Sequence, residues 1–186
     1  MSDHSALLAP AATELLRVAA AVPSLDAHTG CADYDVRGLL DHLLYWGPRL
    51  AAAGRRESSA APESDVALVE DDWPALLEKQ TEELVAAFAS ASAWTGTVTF
   101  GPAELPAAVV GDMVLGEFVL HGWDLARASG TTLSCSDDAA AAVLASAVAM
   151  GERARSTGVY GAEVPVPVTA PLLDRALGAS GRDPYA

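Results

Sequence analysis

Glu117 and His121 stand four residues apart in the run Glu117-Phe118-Val119-Leu120-His121, which is otherwise apolar. An α-helix turns about 100° per residue, so the two side chains return to one face with an offset of roughly 40°. A carboxylate and an imidazole one turn apart suit two ligands of a single divalent ion, given a third ligand from another segment. His42 is the candidate for that third ligand. It lies in Leu39-Leu40-Asp41-His42-Leu43-Leu44-Tyr45-Trp46. Leu39 and Trp46 share its helical face, so its ring should point at least partly inward.

Ionisable groups aimed at one interior point are costly unless they share a partner. A buried Glu–His ion pair is one such arrangement and a metal ion is another, and spacing alone does not choose between them. Two imidazoles and one carboxylate leave coordination positions open, as in catalytic zinc and non-haem iron sites. Zinc is the first expectation, with nickel, manganese and iron as alternatives. Asp124, three residues past His121, either orients that ligand from behind or pairs with Arg127. Arg127 itself complements the C-terminal end of a helix dipole. Trp123, Tyr45 and Trp46 are read as packing residues. Of the remaining histidines, His4 is expected in solvent near the N-terminus and His28 on a surface loop.

The elements that must position these residues are helices. Leu8, Ala12, Leu15, Leu16 and Ala19 form an apolar stripe that predicts a first helix from about Ser5 to Val22. Pro10 is tolerated only near a helix start, which argues for a later beginning. A second helix, capped by Asp33 or Asp35, runs to about Ala53, with Pro48 expected to kink or shorten it. Residues 54–69 read as a surface loop. Asp72-Trp73-Pro74 opens a third helix that reaches about Ala89. Thr95 to Phe100, closed by Gly101-Pro102, reads as one arm of a small hairpin or as an extended connection. Pro106 opens the helix carrying Glu117 and His121, and Gly130 closes it. Ser136-Asp137-Asp138 caps a fifth helix ending near Gly151. Val164 to Val168 is extended, and Pro171 begins a short terminal helix that stops before Gly181. Several helices, each with one apolar stripe and mostly short connections, predict an all-α helical bundle.

Composition agrees. Hydrophobic residues make up 51% of the 186, and alanine, the best helix former, supplies much of that share. The length fits one well-buried domain spanning 1–186. The formal net charge of -14 disfavours nucleic acid and anionic membrane surfaces, both of which need a basic face. No apolar run approaches the roughly 20 residues of a bilayer span. The first residues carry no basic n-region, so a cytoplasmic protein is the expectation. Cys31 and Cys135 form no Cys-x-x-Cys pair and are expected as free thiols in a reducing compartment.

Three motifs carry a family resemblance: Cys31-Ala32-Asp33-Tyr34-Asp35-Val36-Arg37-Gly38-Leu39-Leu40-Asp41-His42-Leu43; Leu105-Pro106 followed by Glu117 to Ala128; and Val164-Pro165-Val166-Pro167 with Gly181-Arg182-Asp183-Pro184. With them the chain resembles the DinB-like metal-binding proteins, in the branch of the N-terminal domain of mycothiol-dependent maleylpyruvate isomerase. It is most similar there to short single-domain actinobacterial members. The resemblance implies a four-helix core with extra C-terminal segments and a metal held by His42, Glu117 and His121. It also implies a link to mycothiol as co-substrate, with the metal activating the thiol. Tyr34 and Tyr185 stand where the family usually has tryptophan. The isomerases carry a second, C-terminal domain for which this length leaves no room, so isomerase activity is not expected.

Two functional classes follow. One is a metal-dependent thiol S-transferase, in which a metal-bound thiol attacks a small electrophile and no protein nucleophile is needed. The other is a non-catalytic metal- or ligand-binding protein of stress responses. Apolar helix faces also allow a homodimer.

Overall fold

Asp35 begins the helix that carries His42. Its carboxylate accepts a hydrogen bond from Gly38 N at 2.8 Å, the N-cap interaction that starts α2 (Val36–Gly54). In a computed structural model describing residues 3–31, 33–58 and 67–186, α2 is one of six α-helices, joined by one hairpin. The others are α1 (Ser5–Ala19), α3 (Trp73–Ala87), α4 (Ala107–Ala128), α5 (Asp137–Ser156) and α6 (Leu172–Ala179). The fold is all-α, as expected. Ala32 and much of the expected 54–69 loop lie outside the described residues.

The chain divides into two compact units, Met1–Leu133 and Ser134–Ala186. In the first, α1 packs on α4 and α3, and α2 packs on α3 and α4. These four helices close a ring around a core that includes Leu8, Leu15, Leu39, Leu40, Leu44, Leu50 and Leu115, each at most 2% exposed. Burying a leucine contributes about 1.5–3 kcal/mol, so this core provides the main driving force for bringing α2 against α4. Neither proline shortens its helix. α1 begins at Ser5 although Pro10 lies inside it, and α2 continues past Pro48 to Gly54. Each proline is exposed, so its missing N–H leaves the preceding turn open to water while the opposite face stays packed. α1 also stops at Ala19, short of Val22.

Polar tethers fix the connections. Asp41 accepts from Leu68 N at 2.6 Å and Val69 N at 2.8 Å, holding the approach to α3 beside His42. Arg56, at φ 60°, donates to the carbonyls of Ser92, Thr95 and Thr97. The expected hairpin forms: β1 (Thr97–Phe100) pairs antiparallel with β2 (Ala103–Pro106), from Thr97 opposite Pro106 to Phe100 opposite Ala103. Its two-residue turn uses Gly101 at φ 58°. α4 ends as its glycine predicted. Gly130 adopts φ 66°, and Thr131 N bonds Ala126 O at 3.0 Å while Gly130 N bonds Arg127 O at 3.3 Å, a Schellman closure.

His4 is not a solvated terminal residue. Its Nδ1 lies 2.7 Å from Asp112 Oδ1 on α4, and its ring meets Trp94 edge to face at 6.0 Å. Burial pushes the Asp112 carboxyl above its usual range, opposed by the hydrogen bond and charge of His4.

In the second unit, α5 packs on α6. Ser136 Oγ accepts from Ala139 N at 3.2 Å, capping α5 as expected. α5 continues beyond Gly151 to Ser156, because an interior glycine weakens a helix by only about 1 kcal/mol and need not end it. α6 closes through Gly181 at φ 89°, with Arg182 N on Leu177 O at 2.9 Å. Cys31 and Cys135 are thiols, not joined in a disulfide. Burial, reinforced by Asp137, pushes the Cys135 thiol up to about 11, so it stays protonated near neutral pH.

Trp94 provides a test of how tightly the first unit is packed. It is 4% exposed and its Nε1 donates to Phe88 O at 2.9 Å. A Cβ on Gly111 of α4 would lie 2.4 Å from that ring. Gly111→Ala is therefore expected to cost about 1–3 kcal/mol through overpacking. Thermal unfolding reports it as a lowered Tm; an unchanged Tm would show that Trp94 has room to move.

Candidate metal centre

The packing of α2 on α4 brings His42, Glu117 and His121 together. Glu117 Oε2 lies 3.1 Å from His42 Nε2 and 3.6 Å from His121 Nε2. The two imidazole rings meet edge to face, 4.9 Å between centroids. One ligand atom from each of the three residues lies within 4.8 Å of the other two, a group that could hold a metal ion. Donors about 2.0–2.1 Å from a tetrahedral zinc lie about 3.3 Å apart, close to the two distances to Glu117. The side chains keep 19%, 21% and 13% exposure, so the centre is sheltered but reachable from solvent.

Asp124 settles the tautomer of His121. The carboxylate is fully buried, and its Oδ2 is 3.0 Å from His121 Nδ1. A carboxylate only accepts, so Nδ1 carries a proton, and in the neutral ring Nε2 then presents its lone pair on the Glu117 side. Asp124 thus contacts the His121 ring on the side away from Glu117. Arg127 lies 5.8 Å over the Trp123 ring.

The loop before α2 packs against the same stretch of α4. Gly30 N donates to Asp124 O at 3.2 Å, and a Cβ on Gly30 would meet Trp123 at 2.4 Å. Glycine is required here by close approach, not by backbone conformation. Thr29 Oγ1 lies 2.6 Å from Tyr34 O. This carries the Tyr34 hydroxyl to 3.5 Å from His42 Nδ1, a long contact, with the rings 5.4 Å apart. Burial first, then the nearby Cys31, Asp33 and Glu117, raises the Tyr34 pKa, so the group remains a neutral phenol. His42 is thus held much less firmly from behind than His121.

Trp46, read as packing, stands 6.5 Å from His42 and 5.8 Å from Phe100 of β1. His28 is exposed, as expected for its loop. Sequence reasoning missed Gly30 and Asp41. Neither carries a local signal: Gly30 matters only because α4 passes it, and Asp41 only because Leu68 and Val69 return to it.

With the geometry in view, the comparison with known families is direct. The family profile described as mycothiol maleylpyruvate isomerase N-terminal domain matches residues 8–126. The chain belongs to this family. The match covers most of the four-helix unit, including His42, Glu117, His121 and Asp124, and stops before α5. The family is DinB-like and mycothiol-related, and the all-α architecture agrees with it. No match to the chain was found among curated proteins or among solved structures. No helix among the described residues is long and apolar enough to cross a membrane.

The Asp124 contact makes a prediction that needs no metal. In the metal-free protein with a neutral His121 ring, two-bond ¹⁵N–¹H correlations should show the Nδ1–H tautomer at His121. An Nε2–H tautomer would mean that Asp124 does not fix the ring.

Proposed function

We propose that this chain binds one divalent metal ion through His42, Glu117 and His121, and that it serves a thiol S-transfer reaction on a small electrophile. The observation that carries the reading is the convergence of three lone-pair-bearing atoms. In the neutral ring Asp124 holds the His121 proton on the far side, so Nε2 and Glu117 Oε2 face each other at 3.6 Å as two acceptors. Two acceptors in partial shelter repel unless a cation or a proton stands between them. A proton on either histidine answers one of these contacts, whereas a cation answers all three.

The donor set fits zinc first, with nickel, manganese and iron as alternatives. When bound, such an ion would lower the pKa of a coordinated thiol and supply a thiolate at neutral pH. The family's link to mycothiol supports a low-molecular-weight thiol as that ligand. The residues of the chain do the rest. Glu117 offsets part of the ionic charge. Asp124 holds His121 in one tautomer and one orientation. Tyr34 and Trp46, half-buried around His42, shield one side of the centre and offer apolar surface to a substrate. No side chain of the protein is required as nucleophile.

Elemental analysis after purification without chelators tests the site. The wild type should carry about one metal per chain, and His121→Ala should lose it while keeping its helical circular dichroism. Equal metal content in both would sink the assignment. Metal-dependent loss of mycothiol in the presence of an electrophile tests the chemistry. Loss no faster than background, with metal bound, would leave the non-catalytic metal-binding reading in its place.

A further inference from the structure

A cavity of about 20 Å³ lies inside the four-helix unit, beside the candidate metal centre. Its apolar walls include Leu15 of α1, Leu43 of α2 and Leu77 of α3, and Glu117 of α4 borders it. Two polar residues of α3, Gln80 and Thr81, complete the lining. The volume is far below that of a pocket for an organic ligand, and above the roughly 10–15 Å³ that one water needs.

The chemistry of the lining points the same way. Gln80 Oε1 is buried and has no hydrogen-bond partner among the described residues. Glu117 also borders this space, and its carboxylate accepts as Gln80 Oε1 does. A molecule with two protons to give can satisfy both acceptors, and Thr81, 4% exposed, is part of the same lining. An apolar occupant would leave Gln80 Oε1 unpaired.

We propose that this cavity holds one ordered water that donates to Gln80 Oε1 and to the Glu117 carboxylate, making Gln80 a positioning residue for Glu117. The water restrains the carboxylate from the interior while Oε2 faces the two histidines. The effect on metal binding rests on the metal-centre reading above; the water link itself does not.

The first arm of the test is a high-resolution crystal structure of the metal-free wild type. It should show a water within hydrogen-bond distance of both Gln80 Oε1 and a Glu117 oxygen, and an empty or apolar-filled cavity would overturn the proposal. The second arm is Gln80→Met, which keeps side-chain length and removes the acceptor. Its metal Kd should rise about tenfold, the usual effect of losing a group that orients a ligand. The visible spectrum of its cobalt-loaded form should shift, while the Tm of the metal-free protein holds or rises. Wild-type affinity and spectrum in Gln80→Met would overturn the positioning role. If the wild type binds no metal but shows the water, and Gln80→Met loses it, the link stands and the metal reading fails.

Discussion

The hydrogen bond from His121 Nδ1 to the fully buried Asp124 carboxylate governs the rest of the centre. It fixes which nitrogen of His121 carries the proton and therefore what Nε2 can do. Without it, a neutral His121 could donate to Glu117 from Nε2 and the cluster would be an ordinary hydrogen-bonded pair. With it, Glu117 Oε2 sits between two imidazole nitrogens, one of which has a lone pair to offer. A buried carboxylate behind a histidine is costly unless the pair is well made, and the 3.0 Å contact meets that condition.

That arrangement depends on two helices meeting closely. α4 contributes Glu117, His121 and Asp124 from consecutive turns, and α2 contributes His42. Leucine burial brings the helices together, but it does not set their fine placement. Small residues and tethers do that. Gly30 admits the loop against Trp123 and Asp124, and Gly111 admits Trp94 against α4. Asp41 and Arg56 fasten the connections flanking the two halves of α2. The centre has a firm side, at His121, and a looser side, at His42 and Tyr34.

Much of this was legible in the sequence, and the failures have physical causes. Apolar stripes, caps and prolines together placed the six helices of the described residues, and spacing and apolar surroundings singled out Glu117, His121 and His42, which the fold brings together. Caps at Asp35 and Ser136 and the closing Gly130 were readable because capping is local. Pro10, Pro48 and Gly151 were read too strictly as breakers. Each costs one local interaction, and packing on the opposite face outweighs it. His4 was misplaced because its partner, Asp112, is more than 100 residues away. The same holds for Gly30, Asp41 and Gln80, whose roles arise only when another element arrives beside them. A single domain over 1–186 was expected; the chain divides into two compact units, Met1–Leu133 and Ser134–Ala186.

The family match covers residues 8–126, within the four-helix unit, so the account of the centre stands on that unit alone. Its central claim is that two imidazoles and one carboxylate hold a metal with a coordination position left open. X-ray absorption at the edge of the bound metal tests this most directly. The account predicts a nitrogen/oxygen shell at about 2.0–2.1 Å with the multiple-scattering signature of two imidazoles, and a sulfur scatterer at about 2.3 Å once a thiol is added. A spectrum lacking imidazole scattering, or a shell unchanged by thiol, would contradict it.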